Sequence, residues 1–252
     1  MGRVLWSLVG TILVLPTLGW GAYSGVDALS HEEHTVVRTY APGAVDAVDI
    51  ANEVGSVVVV AAPVDRVRVQ IRISEGLRRT GSSVRRDGRT LRLHGTCPNV
   101  GGTWCRVRFE VQVPLDTAVT VRGDAPVEVR GTGGPVDVHT TDASIRVDAA
   151  SGPLLARSST GAVTVARSRS SSVSARSGLG SVSVQFEVAP RSVVAISNRG
   201  SAEVVVPRTG DAYAVEVGST YGSSHSEVRS DPSADRHLEV RSRHSRATVR
   251  YG

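Results

Sequence analysis

The sequence contains no lysine and few aromatic residues. All 29 of its basic side chains other than histidine are arginine, and the formal net charge is +5. Phe, Trp and Tyr together make up 4% of the chain, whereas hydrophobic residues, mostly Val and Ala, make up 40%. Small β-branched side chains favour a thin β-sheet interior. The shortage of aromatics removes the stacking platforms that single-stranded nucleic acid requires, so we predict no nucleic-acid partner.

Catalytic motifs are also missing. The sequence has no nucleophile elbow, no H-E-x-x-H motif and no phosphate-binding loop. "HEEH" at residues 31–34 lacks metal-ligand spacing, and His225, His237 and His244 are interpreted as scattered surface histidines. We therefore predict no metal and no cofactor.

One acidic cluster resembles the calcium site of a polysaccharide lyase. It comprises Asp137, Asp142 and Asp148 with Arg146. A lyase-like site needs further carboxylates from adjacent repeats, but the equivalent positions there hold uncharged residues, namely Leu155, Thr164, Ser174 and Ser183. A polysaccharide-acting enzyme is thus only a third hypothesis, and we predict that the protein is not an enzyme.

A repeat with two strands per period dominates the second half of the sequence. First strands begin at Val136, Leu154, Val173, Val193, Tyr213 and Leu238, and second strands at Ile145, Val163, Val182 and Ala202. Apolar and polar residues alternate within each, as in a half-buried strand. Such a repeat cannot bury its apolar face alone, so neighbouring repeats must stack. The sequence predicts an all-β fold, a β-solenoid or parallel β-helix-like stack of two-strand repeats of about 18–21 residues; a β-sandwich with regular turns is the alternative.

The N-terminus differs from the rest of the chain. Residues 4–23 carry no charge and are long enough to cross a bilayer as one helix. Arg3 precedes this stretch and acidic residues follow it, which places the later residues outside the cytoplasm. The sequence predicts a transmembrane signal-anchor over residues 1–25 and a juxtamembrane linker over 26–43. We expect a single-pass protein of the cell membrane, or a secreted one if the segment is a cleaved signal peptide.

The extracytoplasmic domain is predicted to span residues 44–252. Its only cysteines, Cys97 and Cys105, stand between two alternating runs, and an even cysteine count in an exported chain favours a disulfide. We predict this disulfide within a β-hairpin over residues 90–113, near a broad end of the stack. At the other end, the last two strands are predicted to leave an open edge at Gly252.

These features together resemble a known family. The turns "STGAV", "GLGSV" and "NRGSA", the "GPVDV" strand, the cysteine pair and the N-terminal anchor are similar to the bacterial putative-adhesin domain family of unknown function, of actinobacterial type. The turns "TDASI" and "RHSRA" lack the glycine of that pattern. The resemblance implies an exported, non-enzymatic β-solenoid-like domain.

Arginine is concentrated on the approach to the cysteine pair. This hairpin cluster comprises Arg78, Arg79, Arg85, Arg86, Arg89 and Arg92, and we predict that it binds an anionic ligand. Outside the cell such a surface meets anionic wall polymers or lipid head groups. The alternative is that the arginines keep the Val-rich repeat soluble.

The leading functional hypothesis is a membrane-anchored, extracytoplasmic, non-catalytic module. It would act as an adhesin or envelope-surface binding protein for an anionic wall polymer, a lipid or an envelope protein. The alternative is a structural or sensory envelope-stress component that binds a membrane protein.

Overall fold

A computed structural model describes residues 32–75, 80–97 and 105–252 of the chain. These residues form 21 β-strands in two sheets, and no helix occurs among them. The prediction of an all-β domain is therefore confirmed. The predicted membrane span, residues 4–23, lies outside the described residues, and no helix within them is long and apolar enough to cross a membrane.

The larger sheet has eleven strands. In spatial order they are β1 (Glu32–Tyr40), β4 (Val67–Glu75), β7 (Arg106–Pro114), β3 (Gly55–Ala62), β9 (Val127–Arg130), β11 (Ile145–Asp148), β13 (Val163–Ser168), β15 (Val182–Phe186), β17 (Ala202–Val206), β21 (Ala247–Tyr251) and β19 (Ser224–Ser226). The pairs β1–β4 and β4–β7 are antiparallel, and the remaining pairs are parallel.

The second sheet has ten strands. In spatial order they are β18 (Ala214–Ser219), β20 (His237–Ser242), β16 (Ser192–Ser197), β14 (Ser172–Ser177), β12 (Leu154–Ser158), β10 (Val136–Thr140), β8 (Ala118–Gly123), β2 (Ala47–Asn52), β6 (Thr90–Thr96) and β5 (Gly81–Asp87). Only the pair β5–β6 is antiparallel.

Strands that the repeat marks as equivalent are direct neighbours in the sheets. In the ten-stranded sheet Val136 pairs with Leu154, and Leu154 with Val173. In the eleven-stranded sheet Ile145 pairs with Val163, and Val163 with Val182. The register that the repeat predicts is therefore confirmed between β10 and β17, where consecutive strands alternate between the two sheets.

The core lies between the two sheets and consists mainly of valine and alanine. Ala156, Ala175 and Ala195 from the ten-stranded sheet are fully buried, as are Val184 and Val204 from the other. Period-two alternation places these side chains inward and their polar neighbours outward. The inward residues named here have short side chains, as the high content of Val and Ala predicts.

Buried hydroxyl groups close one corner of each repeat. The side chains of Ser177, Ser197 and Ser242 donate hydrogen bonds of 2.8, 2.8 and 3.0 Å to backbone carbonyls in the turn of the preceding repeat. We call this row, with Thr140 and Ser158, the hydroxyl ladder. A Cβ on the turn residue Gly180 would lie 2.4 Å from the carbonyl oxygen of Gly161, so close stacking of these two turns requires glycine at position 180.

The predicted hairpin over residues 90–113 is wrong. β6 lies in the ten-stranded sheet and β7 in the eleven-stranded sheet, so the two runs do not pair. The disulfide between Cys97 and Cys105 is present, with the two Cα atoms 5.9 Å apart. Leu93 of β6 and Phe109 of β7 are both buried in the core. Each run covers the interior from one side, because β6 pairs with β2 and β7 pairs with β3.

The predicted order at the C-terminal end is also wrong. β20 inserts between β16 and β18, and β21 between β17 and β19, so the last strands of the chain are not the last in the stack. Leu238 and Val240 of β20 are fully buried, whereas Val215 and Val217 of β18 are half-buried. β20 is paired along both edges, and the long connection between β19 and β20 allows it to reach this position.

The linker predicted over residues 26–43 contains a strand. β1 occupies Glu32–Tyr40 and pairs along its whole length with β4. Its residues Val36 and Val37 lie opposite Ile71 and Gln70, which extends the eleven-stranded sheet by one strand. The polar composition of the segment obscures its alternation.

Candidate functional site

Basic side chains form a line on the outer face of the ten-stranded sheet. Parallel pairing places His139 beside Arg122 and Arg157, and Arg157 beside Arg176. On the next strand Ile196 takes this position, and Arg241 follows. We call Arg122, His139, Arg157, Arg176 and Arg241 the basic column; all five side chains are exposed. Neighbouring strands in a sheet lie about 4.8 Å apart, so the column presents basic groups at that interval.

Acidic side chains neutralise the two ends of the column. Arg122 lies 3.5 Å from Asp49. At the other end, Arg241 lies 3.0 Å from Glu216 and 2.8 Å from Glu239. Ion pairs at these ends leave little positive charge free for a ligand.

The middle of the column has no such compensation. His139, Arg157 and Arg176 make no ion pair within the described part of the chain. On the same strands, Leu155 and Ser174 stand beside the two arginines and carry no charge, whereas Asp137 stands beside His139. Like charges directly opposite each other on neighbouring strands are destabilising. Repulsion between the neighbouring arginines therefore lowers the stability of the folded protein, and a bound anion would offset this repulsion.

The outer face of the eleven-stranded sheet is organised differently. Arg250 bonds to Glu203 at 2.7 Å and Arg130 to Glu128 at 2.7 Å. The hydrogen bond to Glu203 raises the pKa of the Arg250 guanidinium above its ordinary value. Several arginines on that face are thus held by carboxylates of the same protein, which distinguishes it from the middle of the basic column.

The hairpin cluster does not form one surface. Arg85 lies opposite Arg92 on the outer face of the ten-stranded sheet, whereas Arg86 lies opposite Leu91, on the side that faces the core. Arg89 pairs with Asp46, and Arg92 with Asp87 at 3.1 Å. Arg78 and Arg79 lie outside the described residues. Of the described four, Arg85 and Arg92 share a face with the basic column, and Asp49 stands between Arg92 and that column.

No candidate catalytic or metal cluster assembles among the residues that the structure describes. They contain no group of three His, Cys, Asp or Glu side chains able to hold a metal ion. Asp137 lies on the ten-stranded sheet and Asp148 on the other, where a hydrogen bond from Arg167 lowers the pKa of the Asp148 carboxyl. His225 and His237 also lie on different sheets, and His244 stacks on Tyr221 with ring centroids 4.9 Å apart.

Sequence reasoning missed the basic column because it compared the wrong position of the repeat. The second residues of the first strands, such as Asp137 and Leu155, carry no common charge. The fourth residues of the same strands, in "VDVH", "LLAR" and "VSAR", are His139, Arg157 and Arg176. When the strands are aligned by their first apolar residue, the sequence alone shows that their fourth residues are basic.

Comparison with known proteins gives only distant structural likenesses. No family model matches the sequence, and no curated protein matches it. A putative cell adhesion protein from Clostridium sporogenes is 9% identical with a TM-score of 0.41, covering 88% of this chain and 100% of that one. A putative adhesin from Bacteroides fragilis is 13% identical with a TM-score of 0.38, covering 87% of this chain and 97% of that one. A putative lipid binding protein from Parabacteroides distasonis is 9% identical with a TM-score of 0.42, over the same shares. These low values assign the chain to no family.

Proposed function

We propose that this protein is a non-catalytic β-solenoid module that binds an extended anionic polymer along the basic column. The observation that carries the proposal is the uncompensated middle of the column, where Arg157 and Arg176 stand side by side without an acidic partner among the described residues. An anionic group seated between two guanidinium groups accepts charge-assisted hydrogen bonds from both. The ligand would thereby relieve the repulsion between the two arginines.

The flat shape of the site favours a polymer over a small molecule. Small-molecule sites are concave and bury most of the ligand, whereas exposed side chains on a sheet face enclose nothing. A polymer with repeated anionic groups can contact successive strands, and each further contact is intramolecular once the first has formed. Many weak contacts then add up to useful affinity. Because the contacts are exposed, binding should weaken as salt rises.

The proposed site of action is the outer side of the cell membrane. The uncharged stretch at residues 4–23 supports an N-terminal anchor. The disulfide between Cys97 and Cys105 supports export, because disulfides persist mainly in oxidising compartments. Protease added to intact cells after removal of the wall should digest the domain and leave a short membrane stub. Domain that survives this treatment in unbroken cells contradicts the proposed location.

Binding is tested with the full-length protein and polymers of defined charge. Poly(glycerol phosphate) and polygalacturonate serve as phosphate and carboxylate probes, and glycerol phosphate as the monomer control. We expect the double variant Arg157→Gln, Arg176→Gln to weaken polymer binding at least about tenfold. Added salt should weaken polymer binding of the wild type at least about tenfold as well. The monomer should bind at least about a hundredfold more weakly than the polymer.

A control variant separates this site from general charge. Arg68 and Arg146 are exposed arginines on the eleven-stranded sheet that make no ion pair within the described part of the chain. The double variant Arg68→Gln, Arg146→Gln loses the same net charge and should bind as the wild type does. Equal weakening in the two double variants would show that only net charge matters. Unchanged binding in the Arg157, Arg176 variant would refute the site.

A further inference from the structure

The two sheets have four edge strands, and these differ in how they are protected against pairing with another chain. The edges are β1 and β19 in the eleven-stranded sheet, and β18 and β5 in the ten-stranded sheet. An edge strand presents unpaired backbone N–H and C=O groups, which are a template for a further strand. Proteins avoid such pairing with short strands, charged or inward-facing charged residues, or covering loops.

Three of the edges each use one of these devices. β5 carries Arg85, Arg86 and Asp87, with Arg86 on the side that faces the core. β19 is only three residues long. The loop after β19 covers β18, where the Ser230 hydroxyl accepts a hydrogen bond from the Val215 N–H at 2.9 Å and donates one to the Val215 carbonyl at 3.3 Å.

The fourth edge, β1, is neither short nor covered by a loop within the described residues, but it carries charged side chains, among them Arg38 opposite the buried Val69. It is nine residues long, and within the described residues it pairs with β4 alone. Its centre exposes two adjacent apolar side chains, Val36 at 39% and Val37 at 48%. The ten-stranded sheet has one strand fewer, so it does not fully cover the core-facing side of β1, where Val36 lies.

We propose that β1 pairs antiparallel with β1 of a second copy of this chain, around a two-fold axis at Thr35. Such an interface is self-complementary, because each residue pair occurs twice. With Thr35 at the axis, Glu32 lies opposite Arg38 of the second copy, and Arg38 opposite its Glu32. The strand thus supplies two cross-strand ion pairs to itself.

Neighbouring registers lack this complementarity. With Val36 at the axis, His34 lies opposite Arg38 and Glu32 opposite Tyr40. With Val37 at the axis, Arg38 lies opposite Val36. Charge matching therefore selects the Thr35 register, and the pairing also covers the open side of Val36. The two eleven-stranded sheets become one continuous sheet.

A cysteine at the axis tests the register in the full-length protein. Directly opposite Cβ atoms of an antiparallel pair are about 5 Å apart, close to the separation in a disulfide. The chain's own cysteines are bonded to each other, so Thr35→Cys supplies the free thiol. Mild oxidation should convert Thr35→Cys into a covalent dimer, while Thr39→Cys, four residues from the axis, stays largely monomeric. Equal or preferential cross-linking of Thr39→Cys overturns the register.

Charge reversal tests the interface itself by sedimentation equilibrium. Arg38→Glu places two pairs of carboxylates against each other and should weaken dimerisation at least about tenfold. The double variant Glu32→Arg, Arg38→Glu restores opposite charges and should recover the dimer. The control Arg85→Glu, on the protected β5 edge, should leave it unchanged. A protein that is monomeric at every concentration, or a dimer weakened by Arg85→Glu but not by Arg38→Glu, overturns the proposal. Neither the cross-linking nor the sedimentation measurement involves polymer binding to the basic column, so this proposal and the proposed function can fail independently.

Discussion

Removal of one hydroxyl from the hydroxyl ladder should destabilise the domain measurably. Ser177 is buried, and its hydroxyl donates a 2.8 Å hydrogen bond to the carbonyl of Gly161, in the turn of the preceding repeat. Ser177→Ala leaves that carbonyl without this donor inside a closely stacked corner. A buried polar group that loses its partner costs about 1–3 kcal/mol. We expect the free energy of unfolding to fall by about 1.5 kcal/mol.

Urea denaturation of the full-length protein measures this loss. With a slope of about 3 kcal/mol per molar urea, the expected change lowers the midpoint by about 0.5 M. The slope should stay constant, because the substitution leaves the buried area nearly unchanged.

Two further variants identify the hydrogen bond as the cause. Thr140 occupies the equivalent position of an earlier repeat, so this corner accommodates a threonine, although its hydroxyl donates to the carbonyl of Ala143 in its own turn at 2.8 Å. Ser177→Thr keeps the hydroxyl and should recover most of the stability. Ser174→Ala, on the outward side of the same strand, should change stability by less than about 0.5 kcal/mol. If Ser177→Ala is no less stable than Ser174→Ala, or if Ser177→Thr is as unstable as Ser177→Ala, the hydrogen bond does not stabilise the domain.

Three further predictions concern the ends of the stack and one ion pair between neighbouring strands. Cys97→Ser should lower stability by about 2 kcal/mol, because the disulfide with Cys105 restrains the unfolded chain; reduction of the wild type in a thermal melt should match the variant. Burial raises the pKa of Tyr213 from its ordinary value of about 10 to about 12, so the phenol ionises more readily in the unfolded chain than in the folded one. The neutral phenol therefore favours the folded state below about pH 10, and this contribution is lost as pH rises through about 12. Tyr213→Phe should not destabilise, since the buried hydroxyl has no hydrogen-bond partner within the described residues; a loss above about 1 kcal/mol in urea would contradict this. Arg167 lowers the pKa of the Asp148 carboxyl, so their pair stabilises above the ordinary value of 3.8 and the effect is lost as pH falls below it; Arg167→Gln should flatten this part of the stability curve.

The sequence was sufficient to predict the repeating part of the fold. Alternation with period two fixes which side of a strand faces inward, and the constant offset between first and second strands fixes their register. Both are local properties, so Val136, Leu154 and Val173 can be aligned without a structure. The same alignment contains the basic column, since Arg157 and Arg176 come three residues after Leu154 and Val173. The cysteine pair was predictable from the even count and its close spacing.

Only the tertiary structure decided the arrangement at the two ends. Alternation shows that β6, β7 and β20 bury one face, but not which neighbour covers it. The order of the strands in each sheet depends on contacts between residues far apart in the sequence. Such contacts leave no periodic pattern in the sequence itself. β20 lies between β16 and β18, and Leu238 and Val240 are more fully buried there than Val215 and Val217 are at the edge. β1 likewise becomes a strand through its pairing with β4, since its polar sequence alone predicts a linker.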